Sequence, residues 1–207
     1  MLSNREQETL HSLVNKFVDA KSNLLTQTAA HGPRLNTART RDGLVAVGYQ
    51  IKSADDKGLP VPLSIDGTKA NFGLQLLYTF DLDETGKWLQ TVKSHCELLV
   101  LPEEMLFAHH YDRHPTNSYC NPHLHVAAHS DAYARAFELA GRSKDQFKDT
   151  HVPVGGLVEQ SIIEDTLDYG IREELFTGRP GWEEVIKKSR HDHYEYQLQA
   201  LLDRQGQ

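Results

Sequence analysis

The residues of this chain best suited to chemistry are three histidines at alternating positions in residues 121–129, namely His123, His125 and His129. Because side chains alternate between the two faces of a β-strand, a strand here would carry all three imidazoles on one face and apolar side chains on the other. Imidazoles titrate near neutral pH, so such a face can transfer protons, bind phosphate or ligate a metal ion. The spacing alone does not distinguish these three chemistries.

A second group of histidines lies in residues 105–112, which predict a neighbouring strand of the same sheet. One of the adjacent residues His109 and His110 must then share the face of the three alternating histidines. If it is His109, Tyr111 joins the site. If it is His110, Asp112 joins the site and can orient an imidazole that acts as a base or as a ligand. The pairing register of the two strands decides between these arrangements.

Two further side chains can complete a pocket at the same edge of the sheet. Arg113 lies just beyond the end of the second strand, and His151 lies in a loop rich in glycine. The catalytic residues that we predict are His123, His125, His110, Asp112, Arg113 and His151.

The function that these residues favour first is metal-independent hydrolysis of a phosphodiester or a nucleotide. One imidazole would act as the base and another as the acid. Arg113, or the backbone amides around Gly155 and Gly156, would stabilise the developing anion. Two histidines that are two residues apart on a strand can address the same phosphate group.

Two other functions stay open. The first is a metal-dependent enzyme, because imidazole is a common ligand of divalent transition metal ions. His123 and His125 would bind such an ion together with His110, and the other side chains that could supply a third ligand are His109, His129, His151 and Cys120. The second is a non-catalytic protein-interaction module, since polar and apolar side chains alternate on any half-exposed strand.

Helical periodicity occurs at both ends of the chain. Ser3 and Glu6 form an S-x-x-E capping box before a run of apolar residues at helical spacing, which predicts an N-terminal amphipathic helix. Three more helices are predicted after the histidine stretch, over residues 131–140, from a second capping box at 161–164, and over residues 182–202.

Between these helices the pattern changes to that of strands. The strand-like runs are residues 43–52, 61–65, 74–82, 88–101, 105–112 and 121–129. Gly86 lies in the short loop between two of the runs, which is typical of a β-hairpin. The predicted fold class is α+β, with an N-terminal helix, an antiparallel β-meander of four to six strands, and then three C-terminal helices packing on the sheet. We expect one domain that spans residues 1–207.

Length and composition restrict the class of protein. A chain of 207 residues with 39% hydrophobic and 25% charged residues can bury a core. The formal net charge of -7 argues against extended DNA binding and favours a small, defined substrate or a protein partner. The terminal helices are candidates for binding a protein partner or for forming a homodimer.

No run approaches the roughly 20 apolar residues of a membrane span and no signal peptide is visible, so we expect no membrane contact and a cytoplasmic location.

The order of the central motifs resembles small bacterial proteins with a strand-borne P-H-x-H motif, which include the TumE-type toxins of toxin–antitoxin systems. The motifs that carry the resemblance are His109-His110-Tyr111-Asp112, then Pro122-His123-Leu124-His125, then His151-x-Pro153 before a capped helix. The resemblance covers residues 72–176. It implies a small antiparallel-sheet protein that acts on RNA or another nucleotide substrate, with His123 and His125 as the first residues to test.

Overall fold

The structure is a computed structural model that describes residues 2–113, 122–128, 130–139, 141, 152–153 and 163–205. Its helices are α1 (Asn4–Thr28), α2 (Asp131–Leu139), α3 (Ile163–Arg172) and α4 (Trp182–Gln205). Its strands are β1 (Leu35–Arg39), β2 (Val45–Tyr49), β3 (Val61–Pro62), β4 (Phe72–Leu82), β5 (Leu89–Val100), β6 (Glu104–Asp112), β7 (Pro122–Val126) and β8 (Val152–Pro153). The α+β class, with an N-terminal helix, an antiparallel sheet and C-terminal helices, is confirmed. None of the helices in the described ranges is long and apolar enough to span a membrane.

Helix α1 begins where the sequence predicts, because the capping box forms. Ser3 Oγ accepts a hydrogen bond from the backbone N–H of Glu6 at 3.3 Å, and the Ser3 N–H donates to Glu6 Oε2 at 2.7 Å. These bonds satisfy N–H groups that have no partner within the first helical turn. The apolar side of α1 packs on the sheet, where the ring of Phe17 lies 5.2 Å from that of Tyr78 and 4.7 Å from that of Phe80.

Within the described residues, the sheet has eight strands in the order β1-β2-β4-β5-β6-β7-β8, with β3 also paired to β4. All of these pairings are antiparallel. The sequence predicted four to six strands, and the two that it did not predict are β1 and β8. Strand β1 has the sequence LNTAR and β8 has only two residues, so neither shows an apolar pattern of its own. Both are strands because a neighbouring strand pairs with them.

Two predicted features include residues that lie outside the described ranges. Strand β7 ends at Val126, so its alternation does not continue to His129, which lies outside the described residues. The second capping box also cannot be followed in full, because Ser161 lies outside the described residues while α3 begins at Ile163.

The two faces of the sheet have different environments. Helices α1 and α3 pack on one face, where Cys96 Sγ lies 3.5 Å from Thr166 Oγ1 and the ring of Phe107 lies 5.2 Å from that of Tyr169. Because successive side chains point to opposite faces, the sequence neighbours of Cys96 and Phe107 point away from these helices. We call this second side the histidine face, and the residues that define it are His95, Glu97, His110, His123 and His125.

A buried polar cluster joins α1, α3 and α4 within the layer of helices. Lys21 Nζ donates to Glu164 Oε1 at 2.5 Å, and Ser189 Oγ donates to the same oxygen. Glu164 is fully buried. Burial favours the neutral carboxyl, but the charge and hydrogen bond of Lys21 outweigh it, so the pKa of Glu164 is lowered. Glu164 is therefore a buried carboxylate whose charge is compensated by a single lysine.

We expect Lys21→Ala to lower the free energy of unfolding by about 3–5 kcal/mol, because Glu164 then remains as an uncompensated buried charge. The matched control is Lys21→Met combined with Glu164→Leu, which removes both charges. We expect this pair to be nearly neutral or stabilising. Urea unfolding followed by circular dichroism measures both effects. Equal losses in the two proteins would contradict the ion pair as the source of the effect.

Candidate functional site

Strand pairing brings four histidines from three adjacent strands onto the histidine face. His110 of β6 pairs with His95 of β5 on one side and with His123 of β7 on the other. His125 lies two residues beyond His123 and therefore on the same face. His110, and not His109, is thus the residue that shares a face with the two histidines of β7.

His109 points to the opposite side, towards the helices. Its ring packs against that of Phe107 with 5.5 Å between the centroids. Burial lowers the pKa of His109, although the charge of Asp165 on α3 acts in the other direction. The same register assigns Asp112, and not Tyr111, to the histidine face.

The imidazoles of His110, His123 and His125 converge on a common point. The ring centroid of His110 lies 5.4 Å from that of His123 and 4.6 Å from that of His125. The centroids of His123 and His125 are 5.0 Å apart. One ring nitrogen from each residue lies within 4.8 Å of the other two, and all three side chains are partly buried. Three imidazole nitrogens this close together can ligate one metal ion.

A second set of potential ligands overlaps the first through His110. Ligand atoms of His95, Glu97 and His110 also lie within 4.8 Å of one another, and the rings of His95 and His110 are only 3.9 Å apart. His95 Nε2 is in close contact with Glu97 Oε1, which is the partner of this nitrogen. Within the described part of the chain, the buried His110 Nε2 has no hydrogen-bond partner. Such atoms are uncommon in proteins and often mark a functional position.

The surroundings determine the charge of each group. Burial, and then the charges of the neighbouring histidines, lower the pKa of His110 to about 2. His110 is therefore neutral at physiological pH, and the neutral imidazole is the form that binds metal ions. The contact with His95 is the main factor that lowers the pKa of Glu97, and burial opposes it. Glu97 is therefore ionised on the same face as the neutral His110.

The loop before β3 places one cation beside this group. Lys57 Nζ lies 3.8 Å from Glu97 Oε1, and the Lys57 carbonyl accepts a hydrogen bond from the side chain of Gln75. The next residue, Gly58, has a φ of 70°, and an added Cβ would lie 2.3 Å from the Tyr49 carbonyl oxygen. Only glycine fits this position without strain. The loop holds the lysine near Glu97 while 64% of the lysine side chain remains exposed.

The other predicted residues are placed as follows. Asp112 lies on the histidine face, with its Oδ2 atom 3.5 Å from Lys93 Nζ. Arg113 Nε donates to the Thr91 carbonyl at 3.3 Å, which holds the guanidinium near the start of β5. His151 lies outside the described residues. The structure thus brings His110 together with the two histidines of β7 and places Asp112 on the same face.

The sequence interpretation missed His95 and Glu97 as candidate site residues. They form an H-x-E pattern on β5 with the same period of two as the H-x-H of β7. That pattern was the available signal. It was not decisive, because a bulge between Leu98 and Leu99 shifts the pairing of β5 with β6, so the partner of His95 cannot be counted from the turn.

Comparison with known proteins adds no functional assignment. The chain matches no protein-family profile, no curated protein and no solved structure. The resemblance to the TumE-type toxins therefore stays a prediction. The function is inferred below from the geometry of the histidine face.

In the metal-free protein we expect His110 to remain neutral on mild acidification. Its pKa is lowered to about 2, whereas an unperturbed histidine has a pKa of about 6.5. The ring nitrogens of His110 should therefore show no titration between about pH 8 and about pH 5 in proton–nitrogen NMR spectra. The His110→Gln variant assigns the signals. A midpoint near that of a free histidine would contradict the buried arrangement.

Proposed function

We propose that this protein is a metal-dependent hydrolase whose catalytic ion is a divalent transition metal held by His110, His123 and His125. The observation that carries the proposal is the convergence of three imidazole nitrogens within 4.8 Å of one another from two adjacent strands. Three histidines are a typical ligand set of catalytic zinc sites, because they leave one coordination position for water or substrate. Iron, nickel and copper also accept imidazole ligands.

The state of His110 supports a ligand role. A ligating imidazole must be unprotonated at the binding nitrogen, and burial keeps His110 neutral. Its buried Nε2 atom has no hydrogen-bond partner among the residues that the structure describes, and a bound cation would satisfy it. The same neutrality argues against His110 as the acid of a metal-free mechanism, because an imidazole acts as a general acid in its cationic form.

A metal ion at this position would make hydrolysis accessible near neutral pH. A bound divalent ion lowers the pKa of its water to near 7 and stabilises the charge that develops on the substrate. We propose a phosphodiester or a nucleotide as the substrate, because the ion would offset the repulsion between phosphate and a chain of net charge -7. Asp112, on the same face, can orient a ligand or a water molecule.

The first test is elemental analysis of the purified, untagged protein. The comparison proteins are the His123→Ala/His125→Ala double variant and a His191→Ala control on the exposed side of α4. We expect stoichiometric zinc, iron, manganese or nickel in the parent and in the control. The double variant should lose the metal because two of the three ligands are gone. Circular dichroism establishes that all three proteins are folded.

Activity provides the second part of the test. Hydrolysis of bis(4-nitrophenyl) phosphate by the parent should stop after treatment with a chelator and return when the metal is added back. The double variant should stay inactive under both conditions, because it cannot hold the ion. A well-folded parent protein without metal affinity would overturn the proposal and return acid–base cleavage to first place.

One observation favours a second candidate function, that of a protein-interaction module. Leu198, Leu201 and Leu202 of α4 are 51%, 37% and 53% exposed. Their spacing of three and four residues places them on one side of the helix. Grouped exposed apolar side chains on a helix are typical of surfaces that bind another protein.

If α4 forms a homodimer contact, Leu198→Glu combined with Leu202→Glu should convert the protein to a monomer, because like charges would meet in the interface. Lys187→Glu, an exposed charge change near the start of the same helix, is the control and should not alter the mass. Light scattering after size-exclusion chromatography measures the mass of each protein. A parent that is already monomeric at high concentration would contradict the homodimer.

A further inference from the structure

We infer that the histidine face has a second divalent-cation position, formed by His95, Glu97 and His110, and that the complete site is a two-metal centre for phosphate-ester hydrolysis. The inference rests on the proposed function, because it places a second ion beside the one that His123 and His125 bind. It adds β5 to the site, which the three-histidine set of β6 and β7 does not use.

The geometry of this second position resembles that of the first. The ligand atoms of the three residues lie within 4.8 Å of one another, and the side chains of His95 and Glu97 are only 21% and 14% exposed. The rings of His95 and His110 are 3.9 Å apart, and the buried Nε2 atom of His110 has no hydrogen-bond partner within the described residues. A cation would satisfy this nitrogen and would also be attracted by the carboxylate of Glu97.

The second position differs from the first in having a carboxylate, which a second ion requires. Two divalent ions repel each other strongly at short range, so a second ion needs an anionic ligand. Glu97 is the carboxylate among the residues of the two sets, and it belongs to the second. A site with three histidines on one side and a carboxylate on the other can therefore hold two cations where three histidines alone would hold one.

A cation already approaches Glu97 from the loop before β3. Lys57 Nζ lies 3.8 Å from Glu97 Oε1, while 64% of the lysine side chain is exposed. Because the lysine is mostly exposed and the contact is long, water can replace the ammonium group at little cost. We infer that the ammonium group stands in for part of the charge of the second ion and moves aside when that ion binds.

His110 is the residue that the two positions share. An imidazole has two ring nitrogens, and the neutral ring carries one proton on one of them. The two positions therefore compete for the one unprotonated nitrogen of His110, and the second ion relies more on His95 and Glu97. We therefore expect the second equivalent of metal to bind more weakly than the first.

A pair of ions determines the class of substrate. In two-metal sites the ions stabilise both the attacking and the leaving oxygen of an in-line displacement at phosphorus. Water supplies the hydroxide that forms the new P–O bond, the P–O bond to the leaving alkoxide breaks, and the proton of that water goes to the alkoxide. No oxidation or reduction occurs, and the only co-reactant is water.

The experiment counts the zinc ions that bind to the metal-stripped protein in equilibrium dialysis. We expect two equivalents in the parent and one in His95→Gln and in Glu97→Gln, which are close in size to the natural side chains. Glu104→Gln, which changes an exposed carboxylate at the start of β6, is the matched control and should keep two equivalents. Lys57→Ala should bind the second equivalent about twofold to fivefold more tightly, because a competing cation is gone.

Each result decides between the two proposals. One equivalent in the parent that Glu97→Gln does not affect would overturn the second position and leave the proposed function intact. If the parent binds one equivalent and Glu97→Gln binds none, the two sets form a single site, and the second position is overturned. Two equivalents in both β5 variants would place the second ion elsewhere, which overturns this assignment. No zinc in the parent would overturn the proposed function together with the inference.

Discussion

The pairing register of β5, β6 and β7 is the constraint on which the candidate site depends. His110 lies directly between His95 and His123, so one residue of β6 connects the histidines of both neighbouring strands. A shift of one residue would turn His110 towards the helices and bring His109 to the opposite face. The apolar core opposes such a shift, because Leu98 and its partner Phe107 on β6 would no longer both face the helices. The core on one side of the sheet therefore positions the polar residues on the other.

Burial then determines the chemical state of these residues. In the layer of helices, Lys21 and Glu164 are buried as a charged pair that compensates itself. On the histidine face, burial has the opposite result, because His110 is surrounded by other imidazoles and stays neutral. The two sites show the same physical rule, which is that a buried ionisable group is either paired or uncharged. A crowded group of histidines with a neutral imidazole at its centre is suited to binding a cation.

The proposals of a metal site and of a second cation position have a common physical basis. Both rest on imidazole nitrogens that lie close together on one face, and the second also rests on the ionised Glu97 at the edge of the group. The loop that carries Lys57 links this edge to the first strands of the sheet, because Gly58 allows the backbone to pass close to the Tyr49 carbonyl. Residues far from β7 in sequence thus contribute to the electrostatics of the site.

The sequence by itself determined the features that depend on neighbouring residues. The capping box of Ser3, the strand character of the central runs and the shared face of His123 and His125 follow from local spacing, which a reader can count. Only the tertiary structure decided that His110 and not His109 joins them, and that His95 and Glu97 extend the site. It also decided that β1 and β8 are strands. These features depend on pairing between distant segments, on a bulge where β5 pairs with β6 and on what covers each face, and none of these is encoded in the spacing of adjacent residues.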